Sequence, residues 1–329
     1  MKHRMFGRTG LSVSELGMGC AALGGGLYGR DDREVIATLE AAFEAGITFY
    51  DTANTYSAGR SERLLGRTFK SRRRRVFITS KGGIVYHPVM AVAIGMKSWL
   101  KPVKELLRPM QARLNRAKYA FKHGDFSPRH IERALAGSLK RLQTDYLDLY
   151  QLHNPPPEVL ARGEIFEALE RFKTQGKIRQ YGVSFKTVKD AEAVSWAPGL
   201  SAIQVPLNLL DQEVVSRVLP LARERGIAVI ARVPLAQGLL TDASEVKAEQ
   251  IAVDPDAVAQ RKRRAEAFHF LATGQRTLAQ AALQFVLQLP GVSVVIPGMT
   301  KRRRLEANLG ALAAPPLTNE ELERVAHAV

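Results

Sequence analysis

Four side chains of this sequence have the types and the spacing that acid–base chemistry at a carbonyl group requires. Asp51, Lys81 and His153 each stand at the end of a short run rich in β-branched, aromatic or other apolar residues, which is typical of a buried strand. Tyr56 lies in the polar loop that follows the first of these runs. In a barrel of parallel strands the carboxyl ends share one face, so we expect the four groups to converge there.

The chemistry of such a group follows from the pKa values of its members. A phenol has an ordinary pKa of about 10 and is a poor acid at neutral pH. A neighbouring ammonium group favours the phenolate, and a carboxylate paired with that ammonium group holds it in place. Tyr56 can then protonate a carbonyl oxygen as hydride reaches the carbonyl carbon, while His153 donates a second hydrogen bond to the same oxygen.

The elements that would position these groups alternate between strand and helix along the chain. After a hairpin over residues 5–15, the apolar pattern predicts eight strands and eight helices without an obvious linker. Two inserts interrupt the alternation, at residues 84–125 and 237–276. The predicted fold is a (β/α)8 TIM barrel of the α/β class, a single domain over residues 1–329. The N-terminal β-hairpin would close its bottom, and both inserts would lie on its C-terminal face.

Composition narrows the classes of protein to consider. Hydrophobic residues make up 46% of the chain and charged residues 24%, which is ordinary for a globular domain. One cysteine, Cys20, excludes an internal disulfide and suits a reducing compartment. We recognise no signal peptide and no apolar run long enough to span a membrane, and therefore expect a cytoplasmic location. The histidines of the inserts have no Cys/His partners at metal spacing, so we predict no metal site.

The net charge of +16 raises the question of an anionic partner. The cations are clustered at residues 72–75, 97–122, 261–264 and 301–304, and no cluster is interleaved with aromatic residues as a base-stacking surface would be. We therefore predict no nucleic-acid partner. The expected partner is a small-molecule carbonyl substrate, and no obligate protein partner is evident.

Several motifs resemble those of the aldo-keto reductase family. They are Asp51-Thr52-Ala53-Asn54-Thr55-Tyr56, Thr79-Ser80-Lys81, residues 139–146, residues 149–155 and Val295-Ile296-Pro297-Gly298. The resemblance covers nearly the whole chain, in order, and implies an NAD(P)H-dependent oxidoreductase on a (β/α)8 barrel. It implies that Tyr56 is the general acid/base and that His153 orients the carbonyl group. Asp51 and Lys81 would tune the pKa of Tyr56.

The resemblance also implies positions for a nicotinamide cofactor. Ser184 and Gln204 correspond to the groups that hydrogen-bond the carboxamide, and Arg232 occupies the position of a residue, usually aromatic, that stacks on the nicotinamide ring. The pyrophosphate and adenosine end would contact Leu235, Gly298, Thr300, Arg304 and Asn308. Arg304 corresponds to the residue that meets the 2'-phosphate, so NADP(H) is expected rather than NADH.

Three features depart from the family pattern. Phe185 stands where asparagine is usual, Ala307 where glutamate is usual, and the insert at residues 84–125 is longer than in most members. This insert is strongly basic, with helical apolar spacing from Met110 to Phe121. It would be a lid over the substrate, a weak contact with an anionic membrane surface through residues 97–122, or an ordinary basic loop. The alternative function is an NADPH-binding sensor or adaptor protein that acts through this insert.

Overall fold

The molecule is built around a sheet of parallel strands that closes into a barrel. The structure is a computed structural model that describes residues 1–24, 31–86, 122–194, 197, 199–241 and 255–328. The strands are β1 (His3–Met5), β2 (Ser12–Ser14), β3 (Met18–Gly19), β4 (Phe49–Asp51), β5 (Phe77–Gly82), β6 (Ile84–Tyr86), β7 (Lys122–Gly124), β8 (Leu147–His153), β9 (Ile178–Ser184), β10 (Ala202–Pro206), β11 (Ala228–Arg232) and β12 (Val292–Ile296). The barrel order is β3-β4-β5-β8-β9-β10-β11-β12, with every neighbouring pair parallel.

Helices follow most barrel strands and cover the outside of the barrel. They are α1 (Asp32–Glu44), α2 (Arg60–Phe69), α3 (Pro128–Leu142), α4 (Pro157–Ala161), α5 (Glu164–Thr174), α6 (Val188–Val194), α7 (Glu213–Arg217), α8 (Leu219–Arg225), α9 (Pro255–Glu266), α10 (Leu278–Gln288), α11 (Arg302–Ala313) and α12 (Asn319–His327). Short 3-10 helices lie at Lys70–Arg75, Ala236–Gly238 and His269–Leu271.

Hydrogen bonds between the first and last strands close the barrel. The amide of Gly17 donates to the carbonyl of Val295 at 2.8 Å, and the amide of Gly19 donates to the carbonyl of Pro297 at 2.9 Å. A Cβ atom on Gly17 would lie 2.9 Å from both the Phe49 and the Val294 side chains, so glycine permits this close approach. The predicted (β/α)8 barrel is therefore confirmed.

The N-terminal hairpin closes the barrel at the amino ends of its strands. β1 pairs with β2 antiparallel, and Phe6 between them is fully buried. The Phe6 ring lies 4.9 Å from that of Phe77 and 6.0 Å from that of Phe49, centroid to centroid. Because Phe49 and Phe77 are the first residues of β4 and β5, the hairpin lies at the bottom of the barrel, as predicted. Its strands begin two residues earlier than the expected start at residue 5.

Local sequence signals account for the start of α3 and for the break between α7 and α8. Ser127 caps α3 by accepting a hydrogen bond from the amide of His130 at 3.3 Å, and Pro128 is the first helical residue. The segment after β10 forms two helices, α7 and α8, and not one continuous helix. Pro220 explains the break, because it has no amide hydrogen to donate to the carbonyl of Ser216.

Only parts of the two inserts lie within the described residues. The ends of the first insert form the antiparallel pair β6–β7, which pairs Ile84 with Gly124. Residues 87–121 lie outside the described residues. The amphipathic helix expected from Met110 to Phe121, the lid assigned to the insert at residues 84–125 and the membrane contact assigned to residues 97–122 therefore stay predictions. The second insert contains α9, and residues 242–254 within it are likewise outside the description. In the ranges given above, no helix combines the length and apolar character needed to cross a membrane.

Candidate active site

Asp51 and Lys81 form a buried ion pair at the carboxyl ends of neighbouring strands. Nζ of Lys81 donates to both carboxylate oxygens of Asp51 at 2.6 Å and to the carbonyl of Thr52 at 2.9 Å. The Lys81 side chain is 1% exposed and the Asp51 side chain is 5% exposed. Burial acts to lower the pKa of Lys81, but Asp51 and Tyr56 outweigh it and raise this pKa above its ordinary value. The ammonium group is therefore held in its charged form.

Tyr56 reaches this pair from the loop after β4. Nζ of Lys81 lies 5.2 Å from the centroid of the Tyr56 ring, and its charge acts on the phenol. The rings of Tyr56 and His153 are nearly perpendicular, with their centroids 5.9 Å apart. Burial raises the pKa of Tyr56, and the opposing effect of Lys81 does not cancel it. The expectation that the ammonium group favours the phenolate thus describes the smaller of two effects. The phenol is therefore held in its protonated form.

The backbone after Tyr56 is strained in a way that fixes the loop. Ser57 and Ala58 have φ angles of 50° and 53°, and Gly59, with φ of 78°, precedes α2. Left-handed conformations cost about 1–3 kcal/mol for residues other than glycine and persist only where the surrounding structure determines them. The loop that carries Tyr56 is therefore held in this conformation by the structure around it.

β8 supplies His153 and, two residues earlier, a polar side chain on the same face. Gln151 is fully buried and donates from Nε2 to Oγ1 of Thr79 at 2.8 Å. Its Oε1 atom is buried and has no hydrogen-bond partner in the described part of the chain. The sequence prediction missed Gln151, although strand alternation from His153 points to it.

Gln204 belongs to the same cluster. Its Nε2 atom donates to Oδ1 of Asp51 at 3.0 Å, a contact across 153 positions of sequence. Ser184 is 3% exposed and pairs in register with both His153 and Gln204. Phe185, which departs from the family pattern, is buried in the core, and its amide donates to the carbonyl of Gln204.

Arg232 ends β11 beside these groups. Its Nη2 atom donates to the carbonyls of Phe185 at 3.0 Å and Lys186 at 3.4 Å. Burial lowers the pKa of Arg232, while the charges of Tyr56 and Asp51 act in the opposite direction. The guanidinium group therefore lies within electrostatic range of the Tyr56 hydroxyl.

The residues expected at the far end of a cofactor are distributed over the neighbouring loops. Leu235 is half-buried in a loop where Val233 has a φ of 50°. Gly298 is exposed and forms a bridge with Gly19. The remaining expected residues are Thr300, which is 2% exposed, Arg304, which is exposed in the first turn of α11, and Asn308, which is 4% exposed.

Comparison with known proteins shows which family has this fold. A sequence profile of the aldo/keto reductase family matches residues 15–329. The chain belongs to the aldo-keto reductase family. It is similar to the NADH-specific methylglyoxal reductase of Escherichia coli, with 31% identity over 73% of this chain and 69% of that protein.

Two solved aldo-keto reductases have the same fold over nearly their whole length. The holo form of AKR11C1 from Bacillus halodurans is 28% identical with a TM-score of 0.77, covering 100% of this chain and 96% of that one. An aldo/keto reductase from Klebsiella pneumoniae, in complex with NADP and acetate, is 26% identical with a TM-score of 0.67, covering 99% and 95%. The chain is thus an NAD(P)-dependent oxidoreductase of this family.

This aldo-keto reductase also has a buried polar network behind the ion pair that the sequence prediction missed. Oγ of Ser80 donates to Glu62 at 2.6 Å, and Nε of Arg141 donates to the other carboxylate oxygen at 2.6 Å. Glu62 is fully buried. The network joins α2 and α3 to β5, the strand that ends near Lys81. No local signal marks it, because a glutamate in the first turn of a helix is commonly exposed.

Proposed function

We propose that this aldo-keto reductase interconverts a carbonyl group and its alcohol with NADP(H), and that Tyr56 is the general acid/base. The observation that carries the proposal is the buried Lys81–Asp51 pair, whose ammonium group lies 5.2 Å from the centroid of the Tyr56 ring. The substrate would be a small aldehyde, ketone or sugar.

The chain's own groups would handle the proton of this reaction. The cofactor supplies or accepts a hydride when it is bound. In the reducing direction, Tyr56 donates its proton to the carbonyl oxygen, and Lys81 stabilises the phenolate that remains. His153 faces the Tyr56 ring and would orient the carbonyl oxygen. In the oxidising direction the phenolate takes the proton from the alcohol.

Buried polar atoms fit the binding of a polar cofactor near the proposed positions. Oγ1 of Thr300 and Nδ2 of Asn308 are buried and have no hydrogen-bond partner in the described ranges. Such atoms are rare in folded proteins and are costly unless a ligand or water satisfies them. Ser184 and Gln204 would hold the carboxamide, Leu235 would lie along the pyrophosphate, and Gly298 would border it. An exposed Arg304 in the first turn of α11 suits a 2'-phosphate, which favours NADP(H) over NADH.

Tyr56→Phe tests the role of the phenol, because it removes the hydroxyl group and keeps the ring. We expect loss of NADPH oxidation with a panel of small aldehydes, while the dissociation constant for NADPH stays near that of the wild type. Tyr146→Phe is the matched control, since Tyr146 lies at the opposite end of the barrel beneath Arg73. Full turnover in Tyr56→Phe would remove Tyr56 from the mechanism. Tight NADPH binding by a wild-type protein that reduces no carbonyl would favour the sensor instead.

A further inference from the structure

The charges of the candidate active site do not balance. Asp51 and Lys81 neutralise each other, whereas the hydrogen bonds of Arg232 go to neutral backbone carbonyls. Nε of Arg232 is buried without a hydrogen-bond partner among the described residues. A half-buried guanidinium group therefore adds a positive charge to the mouth of the barrel.

Asp211, an acid on the loop after β10, is already paired with another arginine. Asp211 contributes to the electrostatic surroundings of Arg232, but its carboxylate accepts two hydrogen bonds from Arg261, at 2.9 and 2.7 Å. Asn208 joins this loop to the end of β11 by donating to both Asp211 and the carbonyl of Val233. The positive charge of Arg232 is therefore not cancelled by Asp211.

This charge would act on the nicotinamide ring of a bound cofactor. In the proposed reaction the ring would approach a carbonyl carbon whose oxygen is hydrogen-bonded to Tyr56, so it would bind close to the Tyr56 hydroxyl. Arg232 is in electrostatic range of that hydroxyl and of Asp51. A charge interaction in a buried site is stronger than in water, because the effective dielectric constant is lower.

We propose, on the basis of the proposed function, that Arg232 makes the site favour the reduced cofactor over the oxidised cofactor. The oxidised nicotinamide ring is positively charged and the reduced ring is neutral, so a fixed cation beside the ring disfavours the oxidised form alone. NADPH would bind more tightly than NADP⁺ for this reason. The equilibrium between bound reactants would shift toward NADPH and carbonyl. A neutral side chain at this position would exert no such bias.

The ratio of two dissociation constants tests this proposal. We expect the ratio of the NADP⁺ constant to the NADPH constant, measured by protein fluorescence quenching, to fall about tenfold in Arg232→Gln, which corresponds to about 1.4 kcal/mol. Arg232→Tyr provides a second neutral variant if the first fails to fold. Arg232→Lys retains the charge and should keep most of the ratio. Lys186→Gln is the matched control, since Lys186 is exposed and solvent screens its charge.

A purely structural role for Arg232 gives a different result. If Arg232 only stabilises the backbone at residues 185 and 186, its replacement weakens the binding of NADPH and of NADP⁺ equally, and the ratio of the two dissociation constants does not change. An unchanged ratio in the neutral variants, or an equal fall in Arg232→Lys, would overturn the proposal. A wild-type protein that binds neither nucleotide would instead reject the proposed function, so the two failures are distinguishable.

Discussion

Asp51→Asn removes the anion from the buried pair while keeping the size of the side chain. Lys81, 1% exposed, would retain the carbonyl of Thr52 and one amide oxygen, but no negative charge. An exposed ion pair contributes about 0–1 kcal/mol, whereas breaking a buried one costs about 3–5 kcal/mol, because an uncompensated charge stays buried. Both partners are buried, so this pair is of the buried kind. We therefore expect the free energy of unfolding to fall by about 3–5 kcal/mol.

The pH dependence gives this prediction a definite sign. In the wild type the pKa of Lys81 is raised above 10.5, so its contribution to stability is present below that pH and is lost as the pH rises through the folded-state pKa. Without Asp51, burial should depress the pKa of Lys81 below its unfolded value. The unfolded state then binds more protons, so the stability of the variant rises with pH. The difference between the two proteins should shrink from about pH 7 to about pH 9.5.

Denaturant unfolding of four proteins measures these quantities. They are the wild type, Asp51→Asn, Lys81→Met and the double variant, which carries no unpaired ammonium group and should be more stable than Asp51→Asn alone. The reasoning is refuted if Asp51→Asn costs less than about 1 kcal/mol, as at an exposed pair. It is also refuted if the difference from the wild type stays constant with pH.

Three further predictions concern groups outside the Asp51–Lys81 pair. Phe6→Ala should lower the free energy of unfolding by about 3–5 kcal/mol, because Phe6 is fully buried, and leave NADPH binding unchanged; denaturation and cofactor titration measure both. Glu62→Gln should lower the free energy of unfolding by about 2 kcal/mol through weakened hydrogen bonds to Arg141 and Ser80. It should also lower kcat more than it changes KM, because Ser80 precedes Lys81 in β5; a wild-type kcat contradicts this link to Lys81. Burial acts to raise the pKa of Asp211, but hydrogen bonds from Arg261 and Asn208 outweigh it and lower this pKa below 3.8. The contribution of Asp211 to the free energy of unfolding is therefore present above about pH 3.8 and is lost as the pH falls through the lower folded-state pKa. Acid titration should show the stability of Asp211→Asn and of the wild type converging there, and a gap that persists at low pH contradicts the assignment.

The sequence determined the barrel and the location of its chemistry. Strand runs end on Asp51 and His153 in both sequence and structure, because these strands are short apolar segments between strong turn and helix signals. Parallel strands in a closed barrel must present their carboxyl ends on one face. Order along the chain was therefore sufficient to bring the candidate groups together.

Only the tertiary structure decided how those groups interact. The contact of Gln204 with Asp51, and that of Arg141 with Glu62, join segments that are distant in sequence. Burial raises the pKa of Tyr56 and the charge of Lys81 lowers it, and the effect of burial is the larger. Desolvation is set by everything that surrounds a side chain, so no local pattern in the sequence encodes it.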